Sequence, residues 1–67
     1  MKETTIAMSS GEDRVAVHER QISYAREAAR EVGGKFVTDR GTDCWGHPVI
    51  AVIDAKGARV EEVRQDR

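Results

Sequence analysis

Asp43, Cys44, Trp45, Gly46 and His47 form the densest group of reactive residue types in this chain of 67 residues. A cysteine nucleophile needs a base that draws its thiol pKa down, a third group that orients the base, and donors for the developing oxyanion. Cys44, His47 and Asp43 nominally fill the first three roles. Working triads are assembled from distant segments, so adjacency along the chain weighs against this one, and a small thiol buried beside a tryptophan at one end of a sheet is the more economical reading. Cys44 and His47 also have a Cys-x-x-His spacing. A closed zinc site takes four ligands, and with one Cys and two His the chain would have to bring His18 and a carboxylate such as Asp39 or Asp43 to the same point. No catalytic residue, metal site or cofactor is assigned on this basis.

Two further patterns concern anions. Ser9, Ser10 and Gly11 lie where a phosphate-binding turn could precede a helix, but Glu12 and Asp13 follow and would repel a phosphate. Eight of the eleven basic residues are Arg. Arg26 and Arg30 stand one helical turn apart with Arg20 on the neighbouring flank, and with Arg40 they make a candidate nucleic-acid-binding set. Glu27 and Glu31 beside them suit a solvated face of mixed sign. The chain holds only three aromatic residues, Tyr24, Phe36 and Trp45, so stacking on RNA bases has little to draw on.

The element that must position all of these is the run 10–34. At about 100° per residue Val15, Ile22, Ala25, Ala29 and Val32 share one stripe with Ala28 at its margin, while Glu19, Arg20, Arg26, Glu27, Arg30 and Glu31 face away. Ser9 with Glu12, or Ser10 with Asp13, has capping-box spacing, and Gly33 and Gly34 supply the stop. An alternative follows from Val15 and Val17, whose alternation also fits a strand: 4–8 and 14–18 would then form a hairpin and Ser23 would cap a shorter helix.

Residues 4–8 read as a first strand and 35–38 as a second. The stretch 39–47 is a loop rich in Gly and Asp, Pro48 opens the most apolar run at 49–53, residues 54–57 match a type I turn, and 60–63 return as the last strand, with 65–67 frayed. The expected architecture is a single two-layer α+β domain, one helix on a mainly antiparallel sheet, in the order β-α-β-β-β; the alternative is β-β-α-β-β-β with a shorter helix. Residues 6–37 resemble the opening strand, helix and strand of nucleotide-binding α/β folds such as the universal stress proteins, on the AREAAREVGG stretch. No Walker lysine follows Gly11, and the chain is too short to complete a parallel sheet.

If the turn pairs Ile53 with Ala58 and Ala51 with Val60, those four lie under the helix. Ile50 and Val52 then point to the opposite face with Arg59 and Glu61. One helix covers one face, so Ile50, Val52, Arg59 and Glu61, with Trp45 in the loop, are the expected protein-binding residues.

A small domain of this size buries little more than its ordering entropy requires, and one cysteine excludes an internal disulfide, so a second copy is a natural source of added stability. A net charge of −1 argues against a dedicated nucleic-acid tail. The lack of a ~20-residue apolar stretch and of a secretory leader argues against a membrane and for the cytoplasm. The expected function is that of a small non-enzymatic protein-binding module, a regulator or inhibitor of the kind carried by viruses and mobile elements, whose partner is another protein or a second copy. Nucleic-acid binding through Arg20, Arg26, Arg30 and Arg40 is the alternative, and a Cys44-dependent enzyme a third.

Overall fold

The computed structural model describes residues 1–39 and 45–66, so Arg40, Asp43 and Cys44 lie outside the described residues. The elements are β1 (Lys2–Ile6), α1 (Arg14–Glu31), β2 (Lys35–Asp39), β3 (Val49–Ile53) and β4 (Arg59–Gln65), the expected β-α-β-β-β order. They form one four-stranded sheet in the order β1-β4-β3-β2, with α1 packed across one face. The two inner pairings, β2 with β3 and β3 with β4, are antiparallel; β1 runs parallel to β4.

Residues 14–18 are helical, so the hairpin alternative is not adopted. The helix is capped by Asp13, whose Oδ1 accepts from the Ala16 amide at 2.9 Å, satisfying a donor that the first turn leaves unpaired. Ser9 and Glu12 do pair reciprocally, Ser9 N–H to Glu12 Oε1 at 2.8 Å and Glu12 N–H to Ser9 C=O at 3.0 Å, but in the turn that leads into the helix. At the other end, the Gly34 amide donates to Ala29 C=O and the Gly33 amide to Arg30 C=O, the paired bonds of a Schellman stop, with Gly33 at φ 68°. Gly34 has a different constraint. A Cβ built there would lie 1.7 Å from the Ile53 carbonyl oxygen, so the helix exit is packed against the end of β3 at backbone distance.

The face that α1 buries differs from the apolar stripe. Val17, Gln21, Ala25 and Ala29, an i, i+4 series, are buried, whereas Val15 is 68% exposed and Val32 37%. A polar residue at the centre of the series explains the rotation. Gln21 is fully buried with its polar atoms bonded: Nε2 donates to Pro48 C=O and Val63 C=O, both at 3.0 Å, and Oε1 accepts from Gln65 Nε2 at 3.0 Å. A buried amide is tolerated on these terms, and a stripe counted from apolar residues alone leaves Gln21 out and so lies turned from the buried face.

The sheet face is reversed as well. Ile50 and Val52, expected on the free side, are fully buried with Val63 under Ala25 and Ala29. Large branched residues on β3 fill the space left by small residues on the helix, and each contributes about 1.5–3 kcal/mol on full burial. The turn itself is the expected one: the Gly57 amide donates to Asp54 C=O at 3.0 Å, and Asp54 Oδ1 accepts from the Lys56 and Ala58 amides. Beyond it the register shifts, with Ile53 opposite Arg59 and Val52 opposite Glu61, in place of the expected pairing of Ile53 with Ala58.

The outer strands also move. β1 begins at Lys2 and ends at Ile6, where the Asp66 amide donates to Ile6 C=O at 3.0 Å, two residues before the expected stop. Gln65, expected to fray, is a buried member of β4.

Candidate protein-binding surface

The expected interface residues do not come together. Ile50 and Val52 are in the core. Glu61 faces the helix and is only 7% exposed; its Oε2 accepts from Thr4 Oγ1 at 2.6 Å and from the Tyr24 hydroxyl at 2.7 Å. Lys2 stands at the mouth of this cluster, 3.5 Å from the Tyr24 hydroxyl and 4.0 Å from Glu61. Its ammonium is held above its ordinary pKa, first by the Tyr24 hydrogen bond and then by electrostatic attraction to Tyr24 and Glu61. Trp45, at 52% exposure, and Arg59 remain at the surface.

On the face that α1 leaves uncovered, the register lines up Val37 of β2, Ala51 of β3, Glu62 of β4 and Glu3 of β1. Two carboxylates directly across strands repel each other, and Arg64 offsets this by reaching Glu62 at 2.8 Å and Glu3 at 3.5 Å. Arg59 pairs with Asp39 at 2.8 Å. Ala51 is fully buried and Val49 nearly so, while Val37 and Ile53 are half-buried. The uncovered face is therefore a lattice of ion pairs around a small apolar centre. Its branched side chains are Val37, Val49 and Ile53, in place of the Ile50 and Val52 expected there.

The candidate nucleic-acid residues also separate. Arg20 is bound within the fold, to Glu12 Oε1 and to Ala7 C=O, both at 2.6 Å. Arg26 and Arg30 line a cleft of about 350 Å³ with Ala29, Gly34, Lys35 and Phe36, between the last turns of α1 and the start of β2. A second cleft, of about 320 Å³, lies at the helix start between Val15, His18 and Pro48, bordered by Arg14 and Gln65. His18 meets Gln21 there, Nδ1 to Oε1 at 3.1 Å, so its role in the described residues is to close the Gln21 network. Among the described residues no three His, Cys, Asp or Glu gather in a metal-binding group, and no helix is long and apolar enough to cross a membrane.

The surface that sequence reasoning missed is the β2 edge. β2 pairs residue for residue with β3, Lys35 opposite Ile53 through Asp39 opposite Val49, with no bulge. Among the described residues, no strand lies on its other side. It contains no proline, and its middle, Phe36, Val37 and Thr38, carries no charge. Natural edge strands are usually blunted by one of those devices. The signal was present in the pattern KFVTD, but an edge is a property of the whole sheet and emerges only once strand order is known.

No family model, no curated protein and no solved structure matches this chain.

Proposed function

We propose that this chain is a small non-enzymatic protein-binding module, a regulator or inhibitor, that engages its partner by strand addition at β2. The observation that supports it is the five-residue β2 edge, which no strand among the described residues covers, with the half-buried Val37 and the basic cleft beside it. An added strand gains main-chain hydrogen bonds along the edge, and its alternate side chains meet α1 on one side and the ion-paired face on the other. The surface thus moves from Ile50 and Val52 to the neighbouring strand.

The test is affinity capture from the native host with two matched variants. Val37→Lys places a charge at the centre of the β2 edge, and Thr5→Lys does the same on β1. Loss of captured proteins with Val37→Lys alone, at unchanged circular dichroism, is the expected result. Equal capture by both variants would sink the reading.

A second reading rests on the cleft that Arg26, Arg30 and Lys35 line, which suits an anionic partner including nucleic acid. Glu27 pairs with Arg30 at 3.4 Å on the exposed helix surface, which limits the field available to a phosphate chain. Affinity for RNA or DNA that falls steeply with salt would favour this reading, and a flat titration would exclude it.

A further inference from the structure

We infer that the strand added at β2 is the β2 of a second copy of this chain, paired antiparallel about Val37 to give a two-fold symmetric dimer with one continuous sheet of eight strands, four from each copy. The inference rests on β2 being the binding edge. It comes from the order of residues in the strand. Read forwards, β2 is Lys35, Phe36, Val37, Thr38, Asp39. Laid antiparallel on itself about Val37, it brings Lys35 of each copy opposite Asp39 of the other, Phe36 opposite Thr38, and Val37 opposite Val37.

Side-chain direction supports this arrangement. Residues 35, 37 and 39 share one face of the strand because side chains alternate. Asp39 is fixed at the outer end by Arg59, and a carboxylate accepts from two cations at once. Lys35 has no ion-pair partner among the described residues. Two lysine–carboxylate pairs flanking a Val–Val contact are the opposite-charge and apolar combinations that stabilise antiparallel strands. The parallel in-register alternative sets Lys35 against Lys35 and Asp39 against Asp39, and like charges directly opposite disfavour it.

Symmetry gives the same choice. A two-fold axis through Val37 uses the same patch twice and closes at two copies, whereas β2 docking on β1 of the next copy is head-to-tail and leaves further edges open. β1 is the poorer acceptor. It opens with two charged residues, Lys2 and Glu3, tied to Glu61 and Arg64.

Multi-angle light scattering on the full chain, from micromolar concentrations to about 1 mM, tests this. The expected wild-type result is a concentration-dependent rise to twice the monomer mass and no further. Val37→Lys and Lys35→Asp should each weaken the dimer about tenfold or more, since each Lys35→Asp dimer exchanges two attractive contacts for two repulsive ones. Asp39→Lys should do the same, and the double variant Lys35→Asp/Asp39→Lys should recover association, because each new aspartate then faces a new lysine. Circular dichroism of each variant keeps a folding defect from being read as a lost interface. A wild-type mass that stays monomeric to 1 mM, growth beyond a dimer, or a dimer indifferent to all of these substitutions would overturn the inference. A monomeric chain whose host partners are still lost with Val37→Lys would overturn the second copy as occupant and leave the broader β2 reading standing.

Discussion

β1 and β2 are both five residues long and both lie at a margin of the sheet, yet they are held by different means. β1 adds side-chain ties to its own ladder on β4: Thr4 and Tyr24 converge on Glu61, Arg64 reaches Glu3, and Arg20 takes the Ala7 carbonyl just past the strand. β2 is fastened by backbone. Its entry is locked where Gly34 meets the Ile53 carbonyl, and its length is an unbroken ladder on β3. A strand tied by side chains has spent its polar groups on its own fold. In β2 Asp39 is held by Arg59, while Lys35 and Val37 lie on the same outward face with no ion pair among the described residues.

The largest effect should come from breaking the β2 lock. Gly34→Ala puts a methyl group inside the contact radius of a backbone oxygen that cannot swing away, and a loss above about 4 kcal/mol is expected, a large share of the about 5–15 kcal/mol a typical domain holds. Gly33→Ala meets nothing closer than Ala55 Cβ at 3.9 Å and incurs only the left-handed backbone cost, about 1 kcal/mol. Urea denaturation of the two variants side by side gives the comparison. Equal losses would mean that the helix exit is not packed as described.

Next comes the β1 fastening. Glu61→Ala leaves the Thr4 and Tyr24 hydroxyls without their carboxylate acceptor and should cost about 2–3 kcal/mol, while Tyr24→Phe removes the short bond to Glu61 and the longer contacts with Lys2 and Thr4 and should cost about 1 kcal/mol. A Glu61→Ala variant as stable as wild type would place β1 under some other restraint. Smaller again is the outer ion pair: Arg59→Ala should change stability by no more than about 1 kcal/mol, because Arg59 and Asp39 are both partly solvated. The smallest effect belongs to the helix that bridges the two sides. Val15→Ser should stay within about 0.5 kcal/mol, and a thermal shift as large as that of Val17→Ala would return Val15 to the buried face that the stripe implied.

Element order was legible because it depends on local chemistry: Gly33 and Gly34 end the helix, Pro48 precedes a strand, and Asp54 with Gly57 makes the turn. Facing was not, because it depends on which side chains share a space. Ala25 and Ala29 leave room that Ile50 and Val52 fill, and a fully buried Gln21 finds acceptors and donors on Pro48, Val63 and Gln65, all more than 25 residues away. Glu61 was misplaced for the same reason, since its acceptor role depends on Thr4 and Tyr24. The candidate surface followed facing, so it moved when facing did.

The parallel pairing of β1 with β4 has one more consequence, for synthesis. Lys2 to Ile6 leave the ribosome well before their partners, Glu61 to Gln65. β1 has no ladder until β4 has been translated, and its pairing closes the longest loop between the described strands. β1 therefore waits for β4, whereas β2 meets its partner β3 sooner, and each strand is paired on one side only by the described strands of the finished sheet.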